Sequence, residues 1–225
     1  MKLVSSLVVL ALSNAVFGVP VENPQSVLVQ PPSQVEGASV ARTLVYRESL
    51  TNVNTVKRVE KSDGSTRYLP VSSMEYYADC GEDGDPYLLI VDIGSTFQNI
   101  VRGSDYSLTI RVGDHPDYET VNSSYPGGIS SSPAGSPRVQ LTGKLVNVSF
   151  RSPLDAELLK LEACFLKRHP DARLWLPNNI ISPHRSHWSK FVVEDVYLVG
   201  GFGNQAYIGP IDGDLYHSVG TLPDE

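Results

Sequence analysis

One amphipathic helix is written into residues 152–170, and the other apolar segments are short, with the lengths and patterns of strands. Ser152 suits an N-cap, Pro153 the first helical position, and Asp155 and Glu157 the positive end of the helix. Leu154, Leu158, Leu161 and Phe165 fall on one apolar face. Lys167, Arg168 and His169 complement the negative end, and Pro170 stops the helix. Strands are expected over 51–59, 68–71, 87–92, 106–112, 138–150, 190–200 and 205–211. Asp63-Gly64 centres a turn, and Gly143 marks a bulge or bend within the long strand. Short helical pieces are expected at 41–43 and 97–101. Loops are expected over 72–86, with an acidic tip from Asp79 to Asp85, over 114–137 and over 176–189. No internal repeat is visible. One solid helix among many short strands implies a mainly β domain with flanking helices, a barrel or a sandwich.

The N-terminus reads differently. Lys2 precedes the apolar run Leu3 to Leu12, and small residues lead to Val16-Phe17-Gly18 before Pro20. This is the pattern of a secretory signal over residues 1–18, and the run is too short to span a bilayer. Residues 19–40, rich in Pro, Gln and Ser, read as a flexible leader, which leaves 41–225 as the folded domain. No later stretch has the length of a membrane span, because Asp92 interrupts the greasiest one, Tyr87 to Ile93. The C-terminal Leu-Pro-Asp-Glu is neither an apolar anchor tail nor a retention tetrapeptide. The expected location is therefore extracellular, or the lumen of a lysosome- or vacuole-like compartment. Asn122-Ser123-Ser124 and Asn147-Val148-Ser149 are acceptor sequons for N-glycans, which suits that route.

Charge and cysteine content narrow the chemistry. With 25 acidic against 18 basic residues the net charge is −7, and no basic block exists, which argues against a nucleic-acid partner. Cys80 and Cys164 are too few for a thiolate zinc site or a disulfide scaffold. Two readings of them stand: one disulfide closing a long loop, or two unpaired thiols, one of them packed in a helix.

No motif announces an active site. Gly201-Phe202-Gly203-Asn204-Gln205-Ala206 has the letters of a dinucleotide fingerprint, but strand and turn residues follow it where a helix would be needed, so it reads as a turn. His184 and His187 lack the helical frame and the glutamate of a zinc motif and read as exposed loop residues. The acidic tip lacks a calcium-loop frame and reads as a solvated turn. His217 is the one histidine considered as a haem ligand. There is no nucleophile elbow, no P-loop and no convincing Cys/His pair.

Four segments taken in order resemble the CREG family of secreted or lysosomal glycoproteins known as cellular repressors. They are Ala41-Arg42-Thr43 with the strand region after it, Asp85-Pro86-Tyr87-Leu88 through Thr109, Val139 to Pro170, and Trp175 through His187-Trp188 and the strand Phe191 to Tyr197 into Gly200-Gly201-Phe202-Gly203. The resemblance spans roughly residues 41 to 205, and the sequon at Asn147 falls where the family tends to carry one. It implies a split β-barrel like that of pyridoxamine-phosphate oxidases, usually a homodimer with a flavin site at the dimer interface. In flavin-binding relatives the turn entering the short helix carries adjacent basic residues that hold the FMN phosphate. The matching turn here is Gly94-Ser95-Thr96. Without Arg or Lys a phosphate loses its charge-assisted contacts. Arg102 and Arg111 are the nearest cations, so the candidate cofactor residues are Ser95, Thr96, Arg102 and Arg111. The resemblance implies that flavin chemistry is lost, that no cofactor is expected, and that the protein works through receptor or glycan-binding contacts. The family's loop cysteines are not matched by Cys80 and Cys164. Tyr197 to Gly203 followed by Ala206-Tyr207-Ile208 also resembles the end of HugZ-type haem-utilisation proteins on the same fold, which keeps a flavin- or haem-dependent oxidoreductase as the alternative.

Overall fold

The computed structural model describes residues 32–223. The expected signal segment lies outside them, as does most of the expected leader. The part of the expected leader that is described is not flexible chain, because helix α1 (Gln34–Arg47) begins inside it. Ser33 and Glu36 form a reciprocal capping box, with Glu36 Oε2 accepting from the Ser33 amide at 2.7 Å and Ser33 Oγ accepting from the Glu36 amide at 3.3 Å. Ala38, Ala41, Leu44 and Val45 are fully buried along one side of the helix. A Ser/Gln-rich composition concealed this apolar stripe.

Seven antiparallel strands follow: β1 (Leu50–Glu60), β2 (Thr66–Ala78), β3 (Tyr87–Val91), β4 (Tyr106–Arg111), β5 (Arg138–Asn147), β6 (Ser186–Val199) and β7 (Ile208–Asp212). Their order in the sheet is β3-β2-β1-β4-β5-β6-β7, and a second pairing of β3 with β6 closes the barrel. The β1–β2 hairpin turns at the expected Asp63-Gly64, where Gly64 takes φ +80° and Asp63 Oδ1 accepts from the Ser65 amide at 2.9 Å.

Two expected loops are strand instead. β2 continues through Ser72 to Ala78 because its polar and apolar residues stay in unbroken register with β1, from Glu60↔Thr66 to Leu50↔Tyr76. β6 starts at Ser186 because Ser186–Ser189 pair with β3, and Ser189 also pairs with β5. Gly143 sits at the expected irregularity, where the β5–β6 register skips Glu194. A Cβ on Gly143 would lie 2.0 Å from the Val192 carbonyl oxygen, so no other residue fits without moving the strand.

Helix α2 (Ser95–Val101) joins β3 to β4, and α3 (Ala156–Arg168) lies between β5 and β6, followed by a 3₁₀ segment Pro170–Trp175. The cap of α3 is Asp155, whose carboxylate accepts from the Glu157 amide at 3.0 Å, rather than Ser152. Ser152 instead closes a preceding turn, and Leu154 is left 82% exposed, off the apolar face. Leu158, Leu161 and Phe165 pack with Ala78, Leu89 and Trp188 as a second core outside the barrel. The first core fills the barrel with Val53, Leu88, Leu108, Ile110, Leu141 and Leu198 and extends to α1 and to the C-terminal helix α4 (Gly213–Ser218). Cys80, just after β2, and Cys164 of α3 form a disulfide with Cα atoms 5.9 Å apart. It stitches the second core to the barrel. Among the described residues no helix is long and apolar enough to cross a membrane.

Candidate functional site

The turn into α2 carries the residues that the sequence resemblance put forward for a cofactor. Gly94 caps α2 without a side-chain hydrogen bond, and Ser95 is exposed at its first position. Thr96 is buried, and its hydroxyl donates to Glu75 Oε1 at 3.2 Å. Burial pushes the Glu75 carboxyl above its ordinary range, against the hydrogen bonds from Thr96 and Ser73. One turn further on, Asn99 is buried and donates to Thr55 Oγ1 at 3.1 Å. The polar groups here thus face one another and a carboxylate.

The expected cations do not reach this turn. Arg102 lies at the opposite end of α2, exposed, and donates to Gln98 Oε1 at 3.2 Å. Arg111 ends β4 and pairs with Asp114 at 2.9 Å. Ser95 and Thr96 share the turn, whereas Arg102 and Arg111 are elsewhere. A doubly charged phosphate placed beside Glu75 would meet like charge that neither Arg102 nor Arg111 is placed to offset. The residues present do not fit FMN bound through its phosphate.

The acidic segment read as a solvated tip is instead a clasp. Asp79 and Asp85 are each only 7% exposed. Asp85 Oδ1 accepts from the Val193 amide at 2.9 Å and contacts His217 Nε2 at 2.9 Å. Lys190 reaches Asp83 at 2.5 Å and Asp85 at 3.6 Å. Arg42 of α1, itself buried, donates to the Glu82 carbonyl at 2.8 Å and to the Val219 carbonyl at 3.1 Å. Tyr216 donates its hydroxyl to the Gly84 carbonyl at 2.8 Å. Desolvation, and then the charge of Asp83, push the Asp79 carboxyl up to about 6. The loop is drawn inward because Lys190, Arg42 and His217 come from three elements remote in sequence. His217, the haem candidate, has its Nε2 committed to Asp85.

The other histidines also have structural partners or lie in solvent. His187 Nδ1 is 2.8 Å from Asp92 Oδ1, and His184 is exposed. His115 Nδ1 sits 2.6 Å from the fully buried Glu48, whose carboxyl is raised by burial. His169 is fully buried with Nε2 2.9 Å from the Tyr77 carbonyl, and it stacks on Tyr76. Among the described residues no group of three or more His, Cys, Asp or Glu is placed to hold a metal.

A polar cleft of about 730 Å³ opens where α1 ends, lined by Arg47, Asp79, Cys80, Glu119, Asn122 and Arg168 among others. Arg168 is neutralised there by Glu119, with Nε–Oε1 at 2.8 Å. The sequon Asn122 borders this cleft and is exposed. Asn147 is exposed at the end of β5, and its Oδ1 accepts from Ser189 Oγ at 2.8 Å, a bond that does not use Nδ2. Neither sequon is buried against an enzyme that adds glycans.

Glu75 escaped the sequence reading, and Arg42 entered it only within the segment Ala41-Arg42-Thr43, with no role in the clasp. Glu75 follows Val71 and Ser73 on the less exposed face of β2, a period-two series that ends in buried Tyr77. A carboxylate on that series is a signal, but it disappears once residues 72–86 are taken as loop.

The family model described as CREG, beta-barrel matches residues 32–218. Comparison with curated proteins by sequence gives no match. Among solved structures, a heme binding protein from Mycobacterium smegmatis superposes with TM-score 0.57 at 22% identity, covering 86% of this chain and 63% of that one. This chain therefore spans less than two thirds of the length of that protein. A protein of unknown function from Agrobacterium tumefaciens gives TM-score 0.47 at 18% identity, over 80% of this chain and 64% of that one. The heme storage protein HutZ from Vibrio cholerae gives TM-score 0.39 at 12% identity, over 76% and 89%. The architecture is the split barrel, mainly β with flanking helices, that the sequence resemblance implied.

Proposed function

Because the chain belongs to the CREG β-barrel family, we propose that it is a secreted, N-glycosylated protein that acts through protein or receptor contacts and has given up flavin chemistry. The observation that supports this most is the Thr96–Glu75 hydrogen bond at the turn into α2. If a flavin phosphate were to bind at this turn, as the resemblance implies for flavin-binding relatives, it would meet the Glu75 carboxylate in place of cations. The signal-like segment ending at Gly18 and the exposed sequons Asn122 and Asn147 support the secretory route. A homodimer agrees with the half-exposed apolar residues Tyr197 and Ile208, near neighbours on the outer face of β6 and β7. The test is a visible spectrum and an FMN titration of the purified protein. A colourless preparation with no quenching of flavin fluorescence supports the reading, and stoichiometric flavin overturns it. Light scattering that returns a monomer mass at micromolar concentration removes the dimer.

A second reading, haem binding, draws on the likeness to the mycobacterial heme binding protein. On that reading His217 must exchange its contact with Asp85 for iron. A haem titration in which the Soret band is the same for the wild type and His217→Ala removes His217 as the ligand.

A further inference from the structure

From Ala172 to Val193 the chain contains no Asp or Glu, although its net charge is −7. The same stretch carries Arg173, Arg185, Lys190, His184 and His187. At its outer end Ile180 is 98% and Ile181 79% exposed, with Leu174 at 62%. Single exposed apolar side chains are ordinary, but two adjacent isoleucines set almost wholly in water are not.

This tip is held by its own hydrogen bonds. Asn179 Nδ2 donates to the carbonyls of Arg173 and Leu174, each at 3.0 Å, and its Oδ1 accepts from the Ile181 amide at 3.1 Å. The Asn179 amide donates to the Leu176 carbonyl at 2.9 Å, and the Ser182 amide to the Asn179 carbonyl at 3.1 Å. Ser182 Oγ donates to the His184 carbonyl at 2.8 Å. Backbone groups satisfied in this way lower the cost of taking the tip out of water. Arg173 is exposed, and the Arg185 side chain is 94% exposed with its nearest carboxylate, Asp92, at 3.9 Å.

We propose that the Leu174–Arg185 tip docks on an anionic phospholipid surface, with Ile180 and Ile181 entering the boundary between headgroups and acyl chains and Arg173 and Arg185 meeting lipid phosphates. Stable attachment to a bilayer takes an apolar and an electrostatic contribution together, and the tip supplies both. The acidic charge of the remaining chain is screened beyond about 8 Å at physiological salt. A protein partner fits less well, because two protruding isoleucines bury far less than the ~1,000 Å² that a specific protein interface needs.

Flotation of the full glycosylated protein with vesicles tests this. Vesicles of phosphatidylcholine containing phosphatidylserine are expected to carry the protein, vesicles of phosphatidylcholine alone to carry at least about tenfold less, and added salt to release it. The Ile180→Ser/Ile181→Ser double variant and, separately, Arg173→Gln/Arg185→Gln are each expected to lose about tenfold or more in partitioning. Thermal unfolding should be unchanged in both, since all four side chains are exposed. No partitioning, equal partitioning to both vesicles, or full retention by either double variant overturns the proposal. Conversion of a dimer to a monomer by the isoleucine substitutions also overturns it, by assigning the tip to contact with a second copy of this chain.

Discussion

Thr96 of α2 donates its hydroxyl to Glu75 of β2 across 3.2 Å. The two residues come from elements separated in the chain by all of β3, and together they fill the turn with a buried hydroxyl and a carboxylate. A positively charged ligand or a neutral hydroxyl would be tolerated there, whereas a phosphate would not.

Glu75→Gln therefore stabilises the protein at neutral pH. The amide keeps an oxygen to accept from Thr96 and removes a partly desolvated charge with no cation beside it. The expected gain is on the order of 0.5–1 kcal/mol in a urea melt near pH 7, shrinking toward acid pH as the wild-type carboxyl protonates. A loss of stability at neutral pH would show that the charge is better compensated than the geometry indicates.

Asp79 gives a pH dependence of definite sign. Its folded-state carboxyl titrates at about 6, above the ordinary aspartate value of 3.8. The folded state binds the proton more tightly, so this contribution to stability is complete below about pH 4 and is lost as pH rises through about 6. Asp79→Asn retains an oxygen for the Gly84 amide and removes the titration. Its advantage over the wild type should be larger at pH 7 than at pH 5, by about 1 kcal/mol in denaturant melts. An advantage independent of pH would dismiss Asp79 as the titrating group.

His169 acts in the opposite sense. Burial lowers its pKa, and the hydrogen bond of Nε2 to the Tyr77 carbonyl opposes that shift only in part. The unfolded chain then takes up a proton that the folded state resists, so stability falls as pH drops below the ordinary histidine value of about 6.5. Nuclear magnetic resonance of the His169 imidazole should give a midpoint below that value. A midpoint above it would mean that Glu119 and Asp171 act on the imidazole more strongly than burial does.

Removing the Cys80–Cys164 disulfide should cost about 2–4 kcal/mol, because it closes a loop with a sequence separation of 84 residues. Cys80→Ser, Cys164→Ser and the double variant should be alike, since each removes the same link. Proteolysis should then open the 79–85 segment and α3 before the barrel strands. A double variant as stable as the wild type would mean that the second core holds α3 unaided.

The legible parts of the sequence were those with local causes. The α3 stripe Leu158, Leu161, Phe165, the Asp63-Gly64 turn, the Gly143 bulge and the turn at Gly201-Phe202-Gly203 all follow from spacing or from what glycine alone permits, a positive φ at Gly64 and Gly201 and the missing Cβ at Gly143. The ordered segments from Ala41 to Gly203 were enough to indicate the family and its barrel. The missed parts depended on partners distant in the chain. β2 beyond Val71 looks like a loop by composition and is a strand because β1 lies alongside it. Asp85 looks solvent-facing and is buried because Val193, His217 and Lys190 converge on it.

By itself the sequence determined a mainly β chain with one strong helix, an acidic balance, two sequons and no adjacent basic pair at the turn into α2, since each of these is a property of residue type and spacing. Only the tertiary structure decided that Glu75 faces Thr96, that the acidic segment is a clasp, that Cys80 meets Cys164, and that Ile180 and Ile181 stand clear of the protein. Burial and pairing are properties of neighbours in space, and closing the barrel through β3 and β6 is what chooses those neighbours.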